Sequence, residues 1–327
     1  MDWGGVFSQA VTQGIGVQAV IFALAAIGLN VHFGYTGLLN FGQAGFLAVA
    51  AYALAVGVTY FGFSFWVSIL LGLAGAVLLA LLLGIPTLRL RADYLAIVTI
   101  AAAEIIRLVL RSVYFKKYFG GSDGLSDFSD TFYSVNPFKN ALKWGPFNFS
   151  AGDLWVVTVG WTLVAFSCLI VWLAMRSPWG RVIKGIREDE DAVRALGKNV
   201  VSYKMQSLIL GGVLGCLGGF ILALANQSVQ PDKYATDLTF FAYAVLILGG
   251  AARVFGPVLG SVIFWFVLVF INRGLEESIR TGSITFLRAE QAGQVGYLVL
   301  GMSLMLLMIF RPQGLIGDRK EIALDAR

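Results

Sequence analysis

A chain of 327 residues that is 58% hydrophobic and only 13% charged is not built for water, since a soluble domain of this length carries about a quarter charged residues. Its mean hydropathy of +0.79 makes the bilayer the solvent for most of its length. The 24 basic residues against 19 acidic ones do not call for nucleic acid, because the bases fall mostly in a few segments between apolar runs, as membrane orientation requires.

The N-terminal MDWGGVFSQAVTQG lacks the basic start of a cleavable leader, and the apolar stretch after it is too long for a leader's core. The first hydrophobic segment is therefore expected to be kept as a helix. Apolar runs of spanning length, about 20 residues, fall at 15–33, 41–60, 63–84, 93–112, 153–175, 206–226, 256–272 and 292–310, and a shorter one at 238–250 is a ninth candidate. None alternates as barrel strands do, and only helices or closed barrels satisfy their backbone in lipid. The expected fold is all-α: a polytopic membrane helix bundle, eight or nine transmembrane helices in a single domain over 1–327.

Basic residues then set the orientation. Arg89 and Arg91 mark one basic turn, the segment from Arg176 to Lys204 holds seven bases, and Arg311, Arg319 and Lys320 mark the C-terminus. The positive-inside rule makes all three cytoplasmic. The parity of the spans agrees, leaving 114–152 as an extracellular loop and the N-terminus outside. That loop is long, and its aromatic and basic residues, among them Tyr114, Phe115, Lys116, Lys117, Phe138 and Trp144, predict an ordered surface. Gly120, Gly121 and Gly124 are placed for a tight turn.

Two stretches break the helical pattern. The first is GYTGLLNFGQAG at 34–45, and the second is LGGAARVFGPVLG at 248–260. Glycine-rich interruptions at corresponding places in two halves line midplane sites in inverted-repeat transporters; glycine also allows close helix packing. The occurrence of both favours a bundle with two glycine-rich broken helices that line a pathway. Gly42 and Gly45 in the first break and Gly249 and Gly250 in the second are the candidate positions. Asn40 and Gln43 add neutral hydrogen-bonding groups at membrane depth, suited to a zwitterion or urea and equally to helix–helix bonding. Glu104 lies about 16 Å along the 93–112 span at 1.5 Å per residue, where a charge is costly and faces protein or water. Arg107, three residues on, is placed to neutralise it. Glu104 is thus either a pathway group or half of a pair that locks two helices, and the pair is the preferred reading.

Enzymatic signals are thin. There is no G-x-x-x-x-G-K-[ST] phosphate loop, no H-E-x-x-H and no C-x-x-C. The lone His32 ends an apolar run, and Cys168 and Cys216 read as buried small hydrophobes. The informative polar segment is 176–204. Within it REDEDAVRAL is expected to form one short helix, with Glu188, Asp189, Glu190 and Asp191 at its N-terminal turn and Gly197 as its stop. Ile186, Val193 and Leu196 should give it an apolar edge. A charged helix of this kind between two spans is either a docking element or a solvated turn.

These motifs, taken together, resemble the LivM family of branched-chain amino-acid ABC transporter permeases. GYTGLLNFGQAGFLAVAAYALA, LRLRADYLAIVTIAAAEIIR, GGSDGL, IREDEDAVRALGKN, AVLILGGAARVFGPVLGS and the ending RPQGLIG recur in the family's order over nearly the whole chain. The resemblance implies an ABC transporter permease that carries no ATPase of its own and binds no cofactor, with ATP and Mg on separate subunits. It implies a second, LivH-like permease, two ATPase subunits and an extracellular substrate-binding protein as partners, with the loop 114–152 expected to meet the last of these. Membrane lipid surrounds the chain, in the bacterial inner membrane, with the C-terminus cytoplasmic. Residues Arg187, Glu188, Asp189, Glu190, Asp191, Ala192 and Gly197 fall where the family docks on its ATPase. The docking signature of the wider class begins Glu-Ala-Ala, whereas this chain has Glu190-Asp191-Ala192. The implied substrate is a branched-chain or other neutral amino acid, or urea; an ion-coupled secondary transporter is the rival mechanism.

Overall fold

The computed structural model describes residues 3–88, 92–145, 147–281, 291–311 and 313–317. Arg89, Arg91, Arg319 and Lys320 lie outside the described residues. The chain is a helical bundle. Among the described residues six helices are long and apolar enough to cross a membrane: Trp3–Tyr35 taken through its bend, Phe65–Thr87, Ala151–Arg176, Val200–Asn226, Gly256–Arg280 and Ala292–Phe310. Two antiparallel strand pairs of two or three residues are the whole of the described sheet.

In chain order, α1 (Trp3–Gly14) and α2 (Val17–Leu29) meet at Gly16, and α2 continues as a π-helical turn, Asn30–Tyr35. The first helix thus begins well before the expected residue 15. The amphipathic α1 packs Phe7 edge-on against Phe266, so its Ser8, Gln9 and Gln13 do not exclude it from the bundle. After an irregular stretch come α3 (Gln43–Thr59), α4 (Phe65–Thr87) and α5 (Ala92–Arg111). The segment that follows carries α6 (Lys116–Phe119), β1 (Leu125–Ser126), α7 (Asp130–Ser134) and the hairpin β2 (Leu142–Trp144) with β3 (Phe147–Phe149). Ser150 caps α8 (Ala151–Arg176), and Ser177 caps α9 (Pro178–Glu188). Then follow α10 (Glu190–Ala195), α11 (Val200–Asn226), β4 (Ser228–Val229) and α12 (Thr236–Gly249). The last two are α13 (Gly256–Arg280) and α14 (Ala292–Phe310).

α2 forms the centre, buried from Ala19 to Leu29 among α11, α13, α12 and α8, and α11 in turn packs on α3. Small residues make that possible: a Cβ on Gly28 would sit 2.8 Å from the Gly215 Cα, and one on Gly219 would stand 2.7 Å from the Leu47 Cα. Close backbone approach of this kind replaces the hydrophobic drive that lipid removes. The periphery is inverted relative to a soluble protein. Leu70, Leu78, Leu82 and Ile85 on α4, and Phe166, Leu169 and Leu173 on α8, are exposed, the pattern of faces that meet hydrocarbon.

The bundle has two ends. At one, β1 pairs with β4 and the 112–150 segment folds back on the helix tips. Phe128 is buried, the Trp155 indole donates to the Phe132 carbonyl at 3.0 Å, and the Tyr133 hydroxyl donates to the Leu224 carbonyl at 3.0 Å. Gly120, Gly121 and Gly124 all take positive φ, and a Cβ on Gly124 would collide with the Val229 carbonyl. At the other end lie α9, α10 and the 313–317 turn. α12 has 14 residues, about 21 Å at 1.5 Å per residue, and reaches from the strand end to the other. There the Leu315 and Ile316 amides donate to the Leu248 and Gly249 carbonyls, at 3.0 and 3.2 Å.

Candidate functional site

Both breaks expected from the glycines are present. In the first, the π turn ends at Gly37, whose φ of +74° suits glycine, and the chain stays non-helical until Gln43. The exposed backbone groups are met by side chains, as membrane depth demands. Thr99 Oγ1 accepts from the Phe41 amide at 3.0 Å, Thr239 Oγ1 accepts from the Ala44 amide at 2.9 Å, and the Tyr243 hydroxyl donates to the Asn40 carbonyl at 2.9 Å.

Asn40 and Gln43 are fully buried, and they sit together with His32. The Gly42 amide donates to Asn40 Oδ1 at 2.9 Å, which fixes the orientation of the Asn40 amide. Its Nδ2 therefore points at His32 Nδ1, 3.0 Å away, which must accept. His32 Nε2 in turn donates to the Leu208 carbonyl at 3.0 Å. The histidine is thus held as one neutral tautomer, joining the first break to α11. Asn40 Nδ2 also reaches Gln43 Oε1 at 3.3 Å. The Gln43 amide lies in a slot made by Gly28 and Gly215, and its buried Nε2 has no hydrogen-bond partner among the described residues. Gly42 and Gly45 let α5 approach: a Cβ on Gly42 would stand 2.5 Å from the Thr99 carbonyl, and one on Gly45 3.2 Å from Ala103.

In the second break α12 stops at Gly249. Gly250 has φ +112° and Ala252 φ +58°, and α13 starts at Gly256. A Cβ on Gly249 would collide with the Gly256 carbonyl.

The two breaks touch. Asn30, 1% exposed, accepts from the Ala252 amide at 2.8 Å and donates to the Arg253 carbonyl at 2.8 Å. A Cβ on Gly34 would stand 2.7 Å from the Ala252 nitrogen and collide with Asn30 Oδ1. Arg187 at the end of α9 donates from Nη1 to the Gly34 carbonyl at 2.7 Å. One cluster therefore joins both breaks, the tip of α9 and, through Leu248 and Gly249, the 313–317 turn.

The 176–204 segment differs from the single helix expected over REDEDAVRAL. Asp189 is extended (φ −153°, ψ 103°) and divides it into α9 and α10. Glu188 ends the first. Asp189 caps the second, accepting from the Asp191 and Ala192 amides at 2.9 Å each. The physical reason is that a short acid competes with the helix by bonding its own neighbours' backbone. The apolar edge is divided too. Ile183 and Ile186 of α9 are buried against the bundle and Val193 packs at Gly185, but Leu196 is 79% exposed. Glu190 takes an ion pair from Lys204 and a second from Arg194 at 2.9 Å, and Asp191 bonds Arg194 at 2.7 Å. Gly197, with φ +75°, ends the segment as the helix stop. Apart from Glu190 and Val193, residues 187–199 are exposed.

Glu104 stands apart from the breaks. It accepts from Arg107 Nε at 3.0 Å, the expected i,i+3 pair, and Arg107 Nη1 also donates to Asp232 at 2.7 Å. Arg111 reaches the same carboxylate at 3.3 Å. This ties α5 to the turn before α12, so the pair is part of a larger cluster. Sequence reasoning missed Asn30, a polar residue at the end of an apolar run, and Asp232, in the short polar stretch QPDK.

A model of the family described as branched-chain amino acid transport system / permease component matches residues 11–309. The high-affinity branched-chain amino acid transport system permease protein LivM of Salmonella typhimurium is 31% identical over 92% of this chain and 69% of its own. Its Escherichia coli counterpart is 30% identical over 93% and 70%. A probable branched-chain amino acid transport permease protein LivH of Methanocaldococcus jannaschii is 24% identical over 94% and 92%.

Proposed function

The chain belongs to the family of branched-chain amino acid transport permease components, whose model spans most of its length, and from that premise we propose that it is the transmembrane subunit of an ATP-driven importer of branched-chain or other neutral amino acids. It works in the bacterial inner membrane beside a second, LivH-like permease, with an extracellular binding protein on one side and two ATPase subunits on the other. ATP and Mg belong to the ATPase subunits; this chain carries no phosphate loop and binds no cofactor. The bases of 176–204 put α9, α10 and the C-terminus in the cytoplasm.

The observation that carries the mechanism is the bond from Arg187 to the Gly34 carbonyl. Four of the six residues of α10 are exposed, as are those from Leu196 to Asn199 after it, the disposition of a surface waiting for a partner. α9 is anchored by Ile183 and Ile186, and its last turn grips the first break, which Asn30 couples to the second. Movement of α10 by the ATPases is thereby passed to two backbone segments that are already non-helical and rearrange at low cost. Alternating access follows from their shift, while substrate affinity resides mainly in the binding protein.

Arg187→Gln tests the lever. Association with the ATPase subunits should survive, because the guanidinium is engaged by the Gly34 carbonyl and the rest of the exposed segment is unchanged, and ATP-driven uptake should fall at least about tenfold, the loss expected for one charge-assisted hydrogen bond. Uptake at the unmodified rate contradicts the mechanism.

A further inference from the structure

A cavity of about 320 Å³ opens between α2, the end of α11 and the start of α12, beside the Pro231–Tyr234 turn. It lies at the small end of ligand pockets, roughly 300–1,000 Å³. Its floor is apolar: Ile21, Phe22 and Leu222 are buried, and Phe241 closes one side. Lys233 and Asp237 line it as well.

These two charges are not spent on the protein. A third charge, Asp232, lines the cleft too, but it is held by Arg107 and Arg111. Among the described residues neither Lys233 nor Asp237 has an ion-pair or side-chain hydrogen-bond partner, and they do not pair with each other. Burial pulls the Lys233 ammonium below the usual lysine value, since it loses water and gains no anion in return. The site therefore holds one free cation and one free anion apart, above an apolar floor. An aliphatic α-amino acid carries the complement of all three from a single carbon: a carboxylate, an ammonium and a branched hydrocarbon.

We propose that this cleft receives the zwitterion of an aliphatic α-amino acid as it leaves the binding protein, with Lys233 taking the carboxylate, Asp237 the ammonium, and Ile21, Phe22 and Leu222 the side chain. The inference rests on the import reading above. Asp237 is exposed on the first turn of α12 and Lys233 sits in a turn, so neutral variants of either leave the core intact.

The test uses the assembled transporter in nanodiscs and a thiol reporter. Asn226 lines the cleft and is exposed, while both native cysteines are buried, so Asn226→Cys gives a single reactive site on this chain, whose labelling is read from its own band. Leucine at millimolar concentration should slow its maleimide labelling severalfold. 4-Methylpentanoate, which lacks the amine, and 3-methylbutylamine, which lacks the acid, should not. Lys233→Gln and Asp237→Asn should each abolish the protection and reduce leucine uptake about tenfold. Arg273→Gln, outside the cleft on α13, should change neither. Labelling indifferent to leucine, or slowed by phosphatidylethanolamine and not by leucine, overturns the proposal, as do charge variants that protect and transport like the parent. Protection without any ATP-driven uptake sinks the import reading and keeps the site; normal uptake without protection does the reverse.

Discussion

Asn30→Ala cuts the junction between the two breaks and nothing else. It strips a partner from the Ala252 amide and from the Arg253 carbonyl, each bonded at 2.8 Å. An unpaired buried group costs about 1–3 kcal/mol, whereas interhelical hydrogen bonds measured in membranes average about 0.6 kcal/mol. Two bonds lost at a residue only 1% exposed therefore cost about 1–4 kcal/mol. Ala252 offsets part of this, because its left-handed backbone carries roughly 1 kcal/mol of strain that is free to relax once the Asn30 side chain no longer holds it. The assay is thermal unfolding in detergent with a thiol-reactive dye, since Cys168 and Cys216 are both buried and react only on opening. Asn30→Asp keeps the acceptor for Ala252 but buries a carboxylate with one oxygen against the Arg253 carbonyl, so it should destabilise at least as much as the alanine variant. Gly34→Ala drives a methyl into Asn30 Oδ1 and should reproduce the loss. The double variant Asn30→Ala with Gly34→Ala should then be clearly less than additive. Unchanged melting of Asn30→Ala, or strict additivity, would refute the junction.

Other consequences are as concrete. Glu190→Lys puts a third cation beside Lys204 and Arg194, and Gly197→Pro replaces a residue at φ +75° with one fixed near −65°; both should leave insertion intact and abolish co-purification of the ATPase subunits. Glu104→Gln alone should destabilise by less than about 1 kcal/mol, because Asp232 still holds Arg107 and Glu104 is 38% exposed. Combining it with Asp232→Asn removes both partners of a largely buried guanidinium and should lower the melting temperature well beyond either single change. Gly124→Ala meets the Val229 carbonyl at a φ of +78°, so it should loosen the β1–β4 contact and speed proteolysis within 112–150.

Much of the helix layout is written in the sequence because lipid enforces long apolar runs, and some boundaries carry their own caps. The stop before α4 is Ser64, and the start of α8 is Ser150, each accepting from a backbone amide three residues on. α1 was missed because Ser8, Gln9 and Gln13 dilute the apolar signal, and only its packing on α13 explains the helix. The division at Asp189 was missed for a different reason. Four consecutive acids all suit a helix N-terminus, and which one turns from helix former to cap depends on α9 docking through Ile183 and Ile186. The glycine breaks were legible one at a time, but their meeting was not. Asn30 and Ala252 lie 222 positions apart, and nothing local to either names the other. The same holds for Arg107 and Asp232, 125 positions apart, where the sequence offered only the pair within one helix.

In the proposed importer, amino acids cross through this chain at the expense of ATP hydrolysed elsewhere. The most direct measurement reconstitutes the chain with its second permease and ATPase subunits in proteoliposomes, adds leucine-loaded binding protein outside, and follows leucine uptake. Uptake should require ATP and Mg inside the vesicle, persist when a protonophore collapses the proton gradient, and vanish when this chain is omitted. Leucine uptake driven by a proton gradient in the absence of ATP would contradict it.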